Sequence, residues 1–117
     1  MAGLDLAGAA VLFSTGWDGN WRTDRYGAGE HPYLTADTAA ALVAGRAALV
    51  GTDSVNIDDT RGGERPAHSS LFAAEIPVVE HLAGLDRLAD ERFRFFAVPV
   101  KVRGLGTFPV RAFAIVE

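Results

Sequence analysis

The stretch "RPAHSSLFAAEIPVVEHL", residues 65–82, places His68 twelve positions before Glu80. Imidazole and carboxylate are both ligands for divalent ions. Glu80 ends the apolar run Ile76-Pro77-Val78-Val79. A carboxylate at the end of a core segment is costly unless it is paired, hydrogen-bonded or bound to a metal. The same residues also fit a plainer reading, with His68 as a helix-start residue and Glu80 as a solvated acid at a strand end. None of the three histidines, His31, His68 and His81, stands in H-E-x-x-H or another compact metal motif.

The other polar residues are also open to two readings. Asp53, Asp58 and Asp59 form a local acidic cluster that suits a cation. Each also suits a turn, with the carboxylate bonded to its own backbone. Asp53 has the better claim as a site residue, because it follows an apolar strand. Trp17 and Trp21 either line a pocket or close over a core. His31, just before Pro32, reads as structural. Ser14, Ser69 and Ser70 lack an elbow motif for a nucleophile. Gly104-Leu105-Gly106 is a turn and shows no phosphate-loop pattern.

The elements that must position these residues alternate in type. Ala9 to Ser14 and Ala47 to Gly51 are continuous apolar runs, which read as buried strands. Thr35 is a helix N-cap with Asp37 in the first turn, and Ala36 to Ala44 follows as an alanine-rich helix stopped at Gly45. Asp18 to Tyr33 has neither helical nor strand periodicity and reads as a long loop of the kind that often carries function. His68 to Glu75 reads as a short helix, Ile76 to Val79 as a third strand, and Leu82 to Leu88 as a helical turn. Phe93 to Val102 and Pro109 to Val116 form a hairpin, with Phe96, Val98, Val100 and Val102 expected on its buried face. The fold class is therefore α/β, with a mixed sheet, flanking helices and a C-terminal β-hairpin.

Composition excludes several classes. The chain of 117 residues suits one domain, and 49% hydrophobic with 22% charged residues is a globular profile. A net charge of −4 argues against a nucleic-acid binder. With no cysteine, disulfides and thiolate metal sites are both ruled out. No run approaches the ~20 apolar residues of a membrane span. The N-terminus does not read as a signal peptide, so cytoplasm is the expected location.

Five blocks, "VLFSTGWDGNW", "HPYLTADTAAALV", "ALVGTDSVNIDD", "RPAHSSLFAAEIPVVEHLAGLDRL" and "FFAVPVKVRGLGTFPVRAFAI", resemble in this order the C-terminal half of the cyclase family. That family of metal-dependent hydrolases includes bacterial kynurenine formamidase and isatin hydrolase. The resemblance implies a swivelling β/β/α domain, here residues 1–117 as a single fragment. It implies that His68 and Glu80 ligate a divalent metal, zinc or manganese, with Glu80 also assisting proton transfer as a catalytic residue. It implies that Thr52, Asp53 and Ser54 fix ligand orientation, and that Trp17 or Trp21 contacts a small-molecule substrate. The reaction implied is hydrolysis of an amide, formamide or cyclic amide.

The family's upstream H-x-G-T-H-x-D-x-P-x-H motif is absent from these residues. The chain is therefore expected to be inactive alone. It would pair with a complementing chain that carries the histidine-rich motif, or else be a relic that associates as a homo-oligomer.

Overall fold

The computed structural model describes residues 3–117, which divide into two units, one running to Asp86 and one from Arg87 to Glu117. The first unit is built on a parallel sheet of three short strands. These are β1 (Ala10–Phe13), β2 (Leu49–Thr52) and β3 (Val78–Val79), in the order β1-β2-β3. Val11 pairs with Val50 and Leu12 with Gly51, and Gly51 in turn pairs with Val79. The crossovers are α1 (Ala36–Ala44) and α2 (Pro66–Ala73). A right-handed crossover repeated in one direction puts both helices on one face of the sheet. Consistent with this, α1 and α2 touch each other and share one core.

That core joins Ala39 and Leu42 of α1, Ala67 and Leu71 of α2, Val50 of β2, and Ile57 and Ile76 from the connections. Strand alternation sends Val11, Phe13 and Val50 toward the helices and Leu12 and Gly51 to the other face. There a side chain at position 51 has no room. A Cβ on Gly51 would stand 2.7 Å from Leu12 Cδ2 and 2.9 Å from Leu82 Cδ1.

The helix boundaries follow local chemistry. The Thr35 side chain accepts a hydrogen bond from the Thr38 amide, so α1 begins where its sequence signals a start. It ends at Ala44 with Gly45 as its C-cap, as the sequence implies, but the left-handed turn falls one residue later. Gly45 has φ −77° and Arg46 takes the left-handed turn at φ 58°. The Arg46 amide donates to Val43 O and the Ala47 amide to Leu42 O, a Schellman closure. At the end of α2, Glu75 (φ 60°) plays the same part, with its amide on Phe72 O and that of Ile76 on Leu71 O. Both helices thus turn straight into the strand that follows.

In the second unit β4 (Phe93–Pro99) and β5 (Val110–Val116) pair antiparallel, from Phe93 opposite Val116 to Pro99 opposite Val110. Phe96 stacks on Phe113 at 4.9 Å, and the Arg111 guanidinium lies over the Phe113 ring. The face expected to be buried is largely open. Val98, Val100 and Val102 are 49%, 53% and 50% exposed. Pairing ends at Pro99, so Val100 and Val102 lie beyond the ladder, where alternation no longer sets facing. The parallel and antiparallel parts form separate sheets. Among the described residues no helix is long and apolar enough to cross a membrane.

Candidate functional site

In a parallel sheet all C-terminal strand ends share one edge, where open α/β folds bind ligands. Here that edge gathers Thr15-Gly16 after β1, Asp53-Ser54 after β2 and Glu80 after β3.

Asp58, in the connection from β2 to α2, organises the centre. The helix start at Arg65 supplies no side-chain cap, and Pro66 at the first helical position has no N–H to satisfy. The next two amides are orphan donors by helix geometry. Asp58 takes both: Ala67 N–H donates to Oδ1 at 2.8 Å and His68 N–H to Oδ2 at 2.9 Å. The same Oδ2 lies 2.7 Å from His68 Nδ1. A carboxylate can only accept, so Nδ1 carries the proton and donates, and Nε2 is left facing outward.

What Nε2 meets is Glu80, with Oε2 3.3 Å away. Glu80 Oε2 also accepts the Ile57 amide at 2.8 Å, which fixes the carboxylate on its inner side. A neutral imidazole would direct a lone pair at a carboxylate oxygen, an arrangement that calls for positive charge between them. Two ligands on one ion, at bonds of ~2.0–2.2 Å, stand roughly 2.8–3.6 Å apart for right-angled to tetrahedral coordination. The observed separation lies in that interval. A carboxylate behind a ligating histidine is also the usual support for such a ligand. The donor pair therefore fits a divalent ion. Among the described residues, however, no group of three His, Cys, Asp or Glu side chains comes together to hold one.

The residues expected to orient the ligands are placed differently. Asp53 accepts the amides of Thr15 and Gly16 and the Thr15 hydroxyl. It pins the Thr15-Gly16-Trp17 turn. The Ser54 hydroxyl donates to Pro32 O, and the Thr52 hydroxyl accepts the Ser54 amide. None of these side chains hydrogen-bonds to His68 or Glu80. Their link to the site is through the backbone, His81 N–H to Ser54 O and Leu82 N–H to Thr52 O. Orientation of His68 belongs to Asp58, which sequence alone leaves as a turn residue. The signal that could have found it is the uncapped Arg65-Pro66 helix start, which needs an acceptor from elsewhere in the chain.

His31 is buried and its Nε2 donates to Asp58 O at 2.9 Å, so it supports the backbone of the residue that holds His68. Trp17 is only 7% exposed and its Nε1 donates to Tyr26 O, so it closes over the interior. Trp21 is 57% exposed and stands edge-on to Tyr26 at 5.1 Å. The Tyr26 hydroxyl lies 3.0 Å from His81 Nδ1.

Burial, followed by the negative charges of Asp53, Asp18 and Glu80, raises the Tyr26 phenol above its ordinary value. Stability from the neutral phenol is thus fully present below the ordinary tyrosine value and is lost as pH rises through the raised one. The urea midpoint is expected to fall across this alkaline range more steeply in the native chain than in Tyr26→Phe. Parallel curves would contradict the assignment.

The family model described as "Putative cyclase" matches residues 3–59. The chain is 32% identical over 96 residues to a kynurenine formamidase of Bacillus cereus, covering 78% of this chain and 46% of the relative. It is 36% identical over 79 residues to a kynurenine formamidase of Salinibacter ruber, covering 68% and 37%. It therefore spans less than half the length of these curated relatives. A solved structure, described as a potential metal-dependent hydrolase with cyclase activity, superposes with a TM-score of 0.74 at 27% identity. That match covers 96% of this chain and 53% of the other. The chain belongs to the cyclase family.

Proposed function

We propose that this chain contributes His68 and Glu80 to a divalent metal site that hydrolyses an amide, formamide or cyclic amide once further ligands complete it. The observation that carries the reading is the His68 Nε2 to Glu80 Oε2 separation of 3.3 Å, with Asp58 fixing the opposite ring nitrogen. Imidazole and carboxylate suit zinc and manganese alike. A catalytic zinc takes about three protein ligands, so a partner bearing the histidine-rich motif is the natural source of the rest.

A bound ion would polarise the scissile carbonyl and lower the pKa of a coordinated water. The chain's own residues do the remaining work. Asp58 keeps the proton on His68 Nδ1. The Ile57 amide holds Glu80 Oε2 and leaves Oε1 free to carry a proton toward the leaving amine. Formyl-aromatic amides of the kynurenine type are one substrate class that this reading admits.

The test is a calorimetric titration of zinc and of manganese into the chain, its His68→Ala variant and its Glu80→Gln variant. Glutamine keeps an oxygen for the Ile57 amide but loses the charge. It is expected to leave thermal stability near that of the native chain while weakening metal binding at least tenfold, on the order of a lost ligand or its immediate support. Equal affinity in all three proteins would sink the metal reading. With metal added, the chain alone is expected to show no turnover of formanilide, and chelator-sensitive turnover would show that the site needs no completion.

The exposed valines of the second unit favour a second reading, a half-domain kept for association as a homo-oligomer. The chain would then bind no metal in the same titration.

A further inference from the structure

Glu80 is followed by a histidine that the metal reading leaves unused. His81 has φ 62°, a left-handed conformation that non-glycine residues rarely adopt. The conformation is held at both ends of the residue. The backbone N–H donates to Ser54 O at 3.0 Å, and the ring Nδ1 lies 3.0 Å from the Tyr26 hydroxyl. Tyr26 is itself buried, fixed by Trp17 Nε1 on its carbonyl and by Trp21 edge-on to its ring. A pyridine-type imidazole nitrogen is a stronger acceptor than a phenol oxygen, and a phenol is the stronger donor. The hydroxyl therefore donates to Nδ1, and the ring proton sits on Nε2. His81 is solvent-exposed, so this Nε2–H is available to a ligand. The exposed Trp21 has its ring centroid 6.4 Å from that of His81.

We propose that His81, held by Tyr26, is a positioning residue whose Nε2–H binds the neutral carbonyl oxygen of an amide substrate beside Glu80, with the substrate's flat group against Trp21. This deepens the hydrolase reading and rests on it for the identity of the substrate. The surroundings select the neutral acceptor. Asp18, Asp53 and Glu80 all impose negative charge at Tyr26, and a carboxylate brought to His81 would meet the same field.

The experiment uses the whole chain with 15N-labelled histidine and no metal, so failure of metal binding does not bear on it. Long-range 1H–15N spectra are expected to show His81 as the Nε2–H tautomer, and Tyr26→Phe is expected to produce a mixture. Formanilide at millimolar concentration should shift the His81 Nε2 signal, and benzoate should not.

Two variants separate binding from structure. His81→Asn keeps a residue that tolerates the left-handed turn and can accept from Tyr26. It should retain the melting temperature and lose the formanilide response seen at Trp21 fluorescence. His81→Gln places an amide donor near the Nε2 position and should restore at least part of that response. An Nδ1–H tautomer in the native chain, a benzoate response equal to that of formanilide, or formanilide binding unchanged in His81→Asn would each overturn the proposal. Loss of metal affinity with the formanilide response intact would instead count against the metal reading alone.

Discussion

Asp58→Ala is expected to lower the unfolding free energy by about 3 kcal/mol and to weaken zinc binding by roughly 10–100-fold. The stability loss follows from two buried amides, Ala67 and His68, left without an acceptor at a helix start that has no other cap. An unsatisfied buried donor costs about 1–3 kcal/mol, and loss of a helix N-cap typically costs ~1. The affinity loss has a separate origin. Without the carboxylate nothing holds the His68 proton on Nδ1, so the ring is free to turn and to present the wrong nitrogen. Asp58→Asn should fall between, because its one oxygen can accept from only part of the set while its amide group opposes the rest. Urea unfolding and zinc calorimetry on the three proteins check both parts. A variant within ~0.5 kcal/mol of the native chain, the range of an ordinary surface substitution, would remove Asp58 from its central place.

Leu71→Ala is expected to cost about 2–5 kcal/mol of stability by opening a cavity in the core that α1, α2 and the sheet share. Leu71 is fully buried one turn after His68. Against a typical domain margin of ~5–15 kcal/mol this change alone brings the chain near its threshold. Zinc affinity of the fraction that remains folded should change little, since His68 is tied through its own amide and ring to Asp58 rather than through Leu71. The two substitutions thus divide cleanly. One moves stability and affinity together, the other stability alone, and a fall in folded-state affinity for Leu71→Ala equal to that of Asp58→Ala would contradict the division.

Much of this was legible in the residues. The apolar runs around Val11 and Val50 have a strand's length and are bounded by glycine or polar residues, so periodicity and punctuation suffice to place them. Thr35 announces α1 because capping is a local transaction between a side chain and an amide three residues on. His68 and Glu80 are visible through the family's spacing, and an acid after an apolar strand already demands a partner. The partner of the helix start was not visible. Asp58 lies ten residues from His68, and nothing local distinguishes a carboxylate that caps a distant helix from one that caps its own turn. The same limit applies to Asp53, whose bonds reach back 38 positions to Thr15. On the hairpin, alternation predicts facing only while the ladder lasts: it stops at Pro99, which frees Val100 and Val102, and Val98, still paired with Arg111 near its end, is exposed as well. The left-handed residues Arg46 and Glu75 lay beyond reach for a related reason: glycine is the usual occupant, and the sequence offers Gly45 one position too early.

The ligand pair and its supports are close together along the chain. Ile57, Asp58, His68 and Glu80 fall within a span of 23 positions, and the core residues that they lean on, Leu42 and Val50, come earlier still. Loop closure over so short a span carries a small entropic cost, with each doubling of length adding only ~0.6 kcal/mol. Every group that shapes the pair precedes Glu80 in the chain. The pair is thus built from contacts local in sequence, the kind that form fastest in folding because little chain has to be closed before they are made.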